Sequence, residues 1–247
     1  MPYVAGRNAV LEAIQAAKRV RRLLIDAAPR ISDADIRRVV GAAESAGIPI
    51  ERVQRTRLDA IALRHQGVIA EVDSFAYTPF HELEERVRAA GREALVLVLD
   101  SLQDPQNFGT LLRTALAVRA TGVVIPERRA VGVTPAVSRA SAGAVEHLAV
   151  SQVPNLTRAL ESLKRLGVWV VGLDAHAGIP YDEPDLSGPL ALVIGSEGSG
   201  LGRLVREHCD IVVHLPMAGR TESLNAAVAG SIALYHVFRA RGRAAGV

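Results

Sequence analysis

The sequence predicts an α/β protein of two domains. Three observations lead there. Short apolar runs alternate with amphipathic helical spacing along the chain, several later runs are apolar on both faces, and the composition changes once, near residue 75. Runs that are apolar on both faces are what parallel strands buried between two helix layers require. A chain of 247 residues has room for one large domain or two smaller ones.

In residues 1–75, Val10, Leu11 and Ile14 share one face of a helix expected from Gly6 to Ala17. Arg22-Leu-Leu-Ile-Asp26 reads as a strand. Ser32 is placed to cap a helix that ends at Gly47, and Ile48 to Val53 gives a second strand. Thr56 is placed to cap a short helix through Leu63, and Val68 to Val72 closes the module. Residues 76–92 read as a linker. Within it His81 to Ala90 forms an exposed helix with the i,i+4 pairs Glu82–Arg86 and Glu84–Arg88.

Residues 93–247 repeat strand and helix. The expected strands are 95–99, 122–125, 168–173, 190–194 and 211–215, and the expected helices are 108–119, 135–143, 155–166, 201–208 and 223–238. An open parallel sheet binds its ligand beyond the carboxyl ends of its strands. Those ends carry Asp100, Leu173-Asp174, Gly195-Ser196-Glu197 and Leu215-Pro216. In the last helix, Leu224, Val228, Ile232 and Tyr235 read as a buried stripe. The small face Ala226, Ala227, Ala229, Gly230 and Ala233 reads as a surface for close helix packing, and so for pairing of two copies.

Composition narrows the function classes. A single cysteine, Cys209, rules out an internal disulfide. No basic segment followed by an apolar run opens the sequence, and no apolar run approaches the roughly 20 residues that span a bilayer. A cytoplasmic protein without membrane contact is expected. The seven histidines lack ligand spacing, so no metal is expected. Neither a Gly-Lys-Ser/Thr phosphate loop nor a Gly-x-Ser-x-Gly elbow occurs.

The net charge of +3 is unevenly placed. Residues 1–75 hold 12 Lys and Arg against 9 Asp and Glu, whereas residues 76–247 hold 17 against 17. Lys18, Arg19, Arg21 and Arg22 are the centre of the excess. Such a cluster is either a solvated surface or a patch for phosphates, to which Arg is well matched through its bidentate fork.

Three segments hold polar residues that an apolar sheet does not need. Asp104-Pro105-Gln106-Asn107 marks a turn before a helix that carries Arg113. Taken alone, it reads equally well as a helix capped by Asn107 with Arg113 on the surface. Gly195-Ser-Glu-Gly-Ser-Gly200 closes a strand with glycines that let a backbone pass close to a ligand. Gly219-Arg-Thr-Glu-Ser-Leu-Asn225 opens the last helix, with Ser223 and Asn225 near its free amides.

In this order and spacing, the three segments resemble the three motifs of the TrmH/SpoU family in the SPOUT superfamily. The residues that carry the resemblance are Asp104 to Gly109 with Arg113-Thr114-Ala115, Ile194 to Gly198 with Gly200-Leu201, and Leu215-Pro216-Met217 with Glu222 to Asn225. Gly6-Arg7-Asn8-Ala9-Val10 extends the match to the start of the chain. The resemblance implies a small L30e-like α/β/α RNA-binding domain over 1–75. It implies a SPOUT-type α/β catalytic domain over 93–247, with a trefoil knot, a mostly parallel sheet and a homodimeric active site. The implied cofactor is S-adenosylmethionine, held by Gly195, Leu215 and Leu224 with Leu173 and Met217 beside them. The implied reaction is methyl transfer to a ribose 2′-hydroxyl of RNA, with a guanosine of 23S ribosomal RNA as the expected target.

A guanidinium is too weak a base to take the hydroxyl proton. Arg113 is therefore assigned to the target phosphate and the developing alkoxide, with Asn107, Asn225, Ser223 and Glu197 organising the site. Arg7, Lys18, Arg19, Arg21 and Arg22 are the expected RNA contacts. A tRNA methyltransferase, an inactive RNA-binding relative and a small-molecule methyltransferase are the alternatives.

Overall fold

The computed structural model describes residues 3–15, 20–27, 34–73, 75–219, 221 and 223–244. The chain divides between Ala76 and Tyr77 into two compact units. The first carries strands β1 (Tyr3–Ala5), β2 (Val20–Asp26), β3 (Ile50–Val53) and β4 (Val68–Val72), with helices α1 (Arg7–Gln15), α2 (Ala34–Ser45) and α3 (Arg55–Ile61). Its sheet runs β1-β4-β2-β3, with β1 and β2 antiparallel to β4 and β3 parallel to β2.

Sequence periodicity missed β1, which is three residues long and ends at Ala5, before Gly6, whose φ of 96° turns the chain into α1. The expected cap Ser32 lies outside the described residues. Thr56 is not a cap: it lies inside α3, which starts at Arg55 after Gln54, without a side-chain cap bond.

In the second unit the expected linker helix, α4 (Phe80–Ala90), is an integral part of the packing. It buries Leu83 and Val87 in the unit's core. Seven strands follow: β5 (Leu95–Leu99), β6 (Gly122–Pro126), β7 (Val150–Val153), β8 (Trp169–Leu173), β9 (Ile179–Pro180), β10 (Leu190–Ile194) and β11 (Ile211–His214). All pair in parallel, in the order β7-β6-β5-β10-β8-β11-β9. The chain moves outward from β5 through β6 to β7, then crosses to build the other half. The order therefore reverses where β10 enters between β5 and β8, and a crevice at such a point is where open α/β sheets hold ligands. The edge strand β7 was not expected because Ser151 and Gln152 break its apolar run. Ser151 is buried with its hydroxyl donating to the Thr78 carbonyl at 2.8 Å.

Helices α5 (Pro105–Ala117), α6 (Pro135–Ala140), α7 (Leu156–Arg165), α8 (Arg203–His208) and α9 (Ala226–Ala244) complete the unit. Val96, Val98, Ala191 and Val193 face α4, α7 and α8, and strand alternation sends Leu97, Leu99, Leu192 and Ile194 to the α5 and α9 side. The α9 reading is reversed in the structure. Ala227, Gly230, Ala233, Leu234 and Val237 are buried, and Gly230 lies against Ile194 and Leu111. Leu224, Val228, Ile232, Tyr235 and Phe238 are exposed, Val228 at 47% and Tyr235 at 49%. The small residues let α9 approach its own sheet, and so the large ones face outward.

Near its other end, α9 carries Arg241 to the amino-terminal edge of the sheet. The guanidinium donates to the carbonyls of Glu93 (2.7 Å), Ala94 (2.8 Å) and Gly188 (2.8 Å). Burial pushes its pKa down, against the pull of Glu93. Burial likewise raises the Cys209 thiol to about 11, with Lys164 opposing it. Among the described residues no helix is long and apolar enough to cross a membrane.

Where α5 meets α6, a Cβ on Gly109 would fall 2.3 Å from Ala140 Cβ and 2.7 Å from Ser141 N. Ala is intrinsically better than Gly in a helix by about 1 kcal/mol. Gly109→Ala is nonetheless expected to lower unfolding free energy by about 1–3 kcal/mol, the cost of overpacking, as measured by urea denaturation.

Candidate active site

The three polar segments meet at the carboxyl edge of the second sheet. Asp104 caps α5, accepting from the backbone N–H groups of Gln106 and Asn107 at 3.2 Å each, with Pro105 in the first turn. The Gln106 donor foremost, with Asn107, holds its carboxyl below the usual range against the opposing effect of burial. Because Asp104 is the cap, the Asn107 side chain is free for other work. Its Nδ2 donates to Glu197 Oε1, and its Oδ1 accepts from Asn225 Nδ2 at 3.0 Å. Asn225 Nδ2 also donates to Glu197 Oε1 at 3.0 Å, closing a triangle. Asn225 Oδ1 meanwhile caps α9, accepting from Ala227 and Val228 N–H at 3.0 and 3.2 Å. One residue from each segment thus holds the other two.

Glu197 sits at the tip of a turn closed by a two-way bridge. Ser196 N–H donates to Gly200 O (3.0 Å) and Gly200 N–H to Ser196 O (3.1 Å). A Cβ at Gly195 would lie 2.2 Å from the Gly200 carbonyl, so only glycine lets the two arms approach. Two buried carboxylates hold the segment that follows the turn, from the strands on either side of β10. Asp100, beyond β5, accepts from Gly202 N–H at 2.7 Å and from Ser101 Oγ at 3.0 Å. Asp174, beyond β8, accepts from His176 N–H at 2.9 Å and pairs with Arg206 Nη1 at 2.7 Å. Burial raises the Asp174 pKa, but the His176 amide and the Arg206 guanidinium outweigh it, so the group ends below the ordinary carboxylate range. Asp100 and Asp174 were noted in the sequence as strand ends only. Their role as anchors depends on Gly202 and Arg206, far along the chain.

Between the turn, the loop after β8 and the start of α9 lies a cleft of about 280 Å³. Leu173, Gly195, Leu215, Met217 and Leu224 all line it, as do Glu197 and Ser223. Apolar side chains such as Leu173, Leu215 and Leu224 share its lining with polar ones such as Asp174, His176 and Glu197, and with the bare backbone of Gly195. Arg113 is exposed on α5 and has no partner among the described residues. It lies six residues beyond Asn107, about 9 Å along the helix axis.

The basic cluster of the first unit is differently arranged. Lys18 and Arg19 lie outside the described residues. Arg21 pairs with Asp73, and Arg22 donates to Glu71 (2.6 Å) and Glu51 (2.8 Å), whose carboxylates raise its pKa, Glu71 foremost. Arg7 donates to Gln66 O at 3.1 Å and stands 3.8 Å from Asp35. Among the described residues no cluster of three His, Cys, Asp or Glu could hold a metal ion.

Residues 94–235 match the model of the SpoU rRNA methylase family, and residues 3–78 match that of the RNA 2′-O ribose methyltransferase substrate-binding domain. The chain belongs to the SpoU rRNA methylase family. A Bacillus subtilis (strain 168) relative, named for the TrmH family of tRNA/rRNA methyltransferases, is 45% identical over 97% of this SpoU-family chain and 96% of its own. The SpoU methyltransferase AviRb from Streptomyces viridochromogenes, solved with AdoMet, superposes with a TM-score of 0.69 and 26% identity, over 98% of this chain and 90% of that one. The A. aeolicus TrmH/SpoU tRNA modifying enzyme shares the fold over 67% of this chain and 85% of its own, with a TM-score of 0.57 and 23% identity. The SpoU-family chain is thus an RNA methyltransferase with an α/β fold.

Removing the Arg206 charge leaves Asp174 buried without its cation. Because Arg206 is partly exposed, Arg206→Ala is expected to cost about 1–2 kcal/mol near neutral pH. Asp174 has a depressed pKa when folded, so this contribution is complete above the free carboxylate value of about 3.9. It is lost as pH falls through the folded value. Denaturation of parent and variant should differ at pH 7 and converge in acid.

Proposed function

We propose that this chain transfers a methyl group from S-adenosylmethionine to the 2′-hydroxyl of a ribose in RNA, with a guanosine of 23S ribosomal RNA as the target. The observation that carries the reading is the meeting of all three family motifs in one hydrogen-bonded triangle beside a cleft. The first unit, matched to a 2′-O ribose substrate-binding domain, supports ribose as the acceptor. We take ribosomal RNA as the substrate that this additional unit binds. A ribosomal RNA substrate agrees with a cytoplasmic location.

S-adenosylmethionine is the methyl donor of this family and supplies an electrophilic methyl on a sulfonium. The cleft fits it: Leu173, Leu215 and Leu224 offer apolar walls to a purine, Gly195 offers bare backbone, and Glu197 offers negative charge at the rim. Met217 and Ser223 would close the outer side. The remaining chemistry falls to the chain. A ribose hydroxyl must be aligned with the methyl and must lose its proton as the bond to carbon forms. Asn107, Asn225 and Glu197 fix one another, which presents amide and carboxylate groups without reorganisation during the reaction. Arg113 offers a fork of N–H donors and no acceptor, so its part is binding and not proton removal. It binds the phosphate next to the target ribose and stabilises the alkoxide at O2′, while the proton passes to that phosphate or to water.

The exposed face of α9 supports a homodimer. Val228, Ile232, Tyr235 and Phe238 make an apolar stripe on a helix packed beside α5, joined to it where Thr114 Oγ1 and Ser231 Oγ meet at 2.9 Å. A copy seated on that stripe comes up beside Arg113, which fits a site completed by two chains. Isologous pairing is also the commonest oligomer. The expected surface is thus the large-residue face and not the small one. A trefoil knot in the carboxyl-terminal part follows from the same family reading.

Arg113→Ala is expected to lower methyl transfer to 23S transcripts at least tenfold (about 1.4 kcal/mol), with S-adenosylmethionine affinity by calorimetry unchanged. Turnover above a tenth of the parent's would remove Arg113 from the mechanism. Light scattering should give a dimer at micromolar concentration and a folded monomer for Val228→Asp/Ile232→Asp. A monomeric parent would overturn the pairing.

A further inference from the structure

The second unit is neutral in total, yet its charge is segregated. Residues 105–143 hold five arginines against one glutamate. Four of them, Arg113, Arg128, Arg129 and Arg139, lie on segments that contact one another: α5, the loop after β6 and α6. The strand order shows why. Cofactor-side loops leave β10, β8 and β11, on one side of β5, whereas the loop after β6 leaves the strand on the other side. Because the sheet is parallel, residues 127–134 emerge at the same carboxyl edge as Asp100 and the Gly195 turn. Asn107, at the start of α5, stands between the two halves.

The loop after β6 is held at several points. Val131 N–H donates to Leu102 O at 2.8 Å, in the stretch that leads to α5. Val133 N–H donates to Tyr77 Oη at 2.8 Å, and Thr134 Oγ1 accepts from Val137 N–H to cap α6. Arg128 and Arg129 are therefore displayed from a fixed backbone. Both are exposed and neither has a carboxylate partner among the described residues. Arg139, exposed on α6, precedes the Ala140 that packs on Gly109, and Arg113 lies one turn beyond Gly109 on α5. The arginines thus follow one another along contacting segments, from the loop through α6 to α5. In the first unit, by contrast, Arg21 and Arg22 are already occupied by Asp73, Glu71 and Glu51.

We infer that the catalytic unit carries its own RNA track. The phosphodiester backbone of the substrate lies along Arg128, Arg129 and Arg139 and approaches the reacting ribose from the β6 side, opposite the cofactor. This rests on the proposed RNA 2′-O-methyl transfer for the identity of the ligand and adds where it lies. Phosphate contacts of this kind set register and affinity without reading sequence.

Each phosphate neutralised by a side chain contributes roughly 0.7–0.9 to the slope of log affinity against log salt. Filter binding of transcribed 23S ribosomal RNA across a salt series should therefore flatten by about 1.4 or more for Arg128→Ser/Arg129→Ser. The same variant should raise KM for RNA severalfold, with kcat at saturating RNA and calorimetric affinity for S-adenosylmethionine unchanged. Arg86→Ser/Arg88→Ser, on α4 across the sheet, removes equal charge and should leave the slope unaltered. An unchanged slope in the loop variant, or an equal change in both variants, overturns the track. A parent that binds the RNA with this salt dependence but leaves every ribose unmethylated overturns the proposed reaction instead, and the binding comparison still decides the track.

Discussion

The second unit's functional edge depends on three loops being held in one place by mutual hydrogen bonds. Asn107, Glu197 and Asn225 come from the start of α5, the turn after β10 and the start of α9. No one of them is positioned by its own helix or strand alone. The glycine at 195 is a precondition, because any side chain there would collide with Gly200 and open the turn that presents Glu197. Asp100 and Asp174 tie the segment just after that turn, through Gly202 and Arg206, to the strands on either side of β10. A buried carboxylate is costly unless paired and hydrogen-bonded. Both here are satisfied, by backbone amides in each case and by Arg206 in one.

Much of this was readable from local pattern. Strands such as β5 and β10 announce themselves because both faces are buried and the run is uniformly apolar. The three polar segments stood out because an apolar sheet has no structural use for Asn107, Glu197 or Asn225. What local pattern misjudged has a common physical origin. Along α9 both faces are apolar, and hydrophobicity alone assigns the larger residues to the interior. Close approach to the sheet decides otherwise, since Gly230 must pass between Ile194 and Leu111. The edge strand β7 escaped notice for the opposite reason: its buried Ser151 is satisfied by a carbonyl 73 residues away.

Charge was the least readable property. Arg22 belongs to a conspicuous basic run, but its partners Glu51 and Glu71 are 29 and 49 residues distant and meet it only across the sheet. Arg128 and Arg129 drew no attention in a unit of zero total charge, yet remain without carboxylate partners. A run of like charges therefore says less about a polyanion surface than the count of cations left over once strands have paired.

Helix α9 joins the two ends of the sheet. Asn225 at its start belongs to the triangle, and Arg241 near its end clamps three carbonyls at the opposite edge, about 24 Å away along the axis. It is also made after every strand has been synthesised. A nascent chain halted before α9 has its sheet and its glycine turn but lacks the wall supplied by Leu224, the amide of Asn225 and the clamp. The cleft is therefore completed only once α9 has been made and has docked on the sheet.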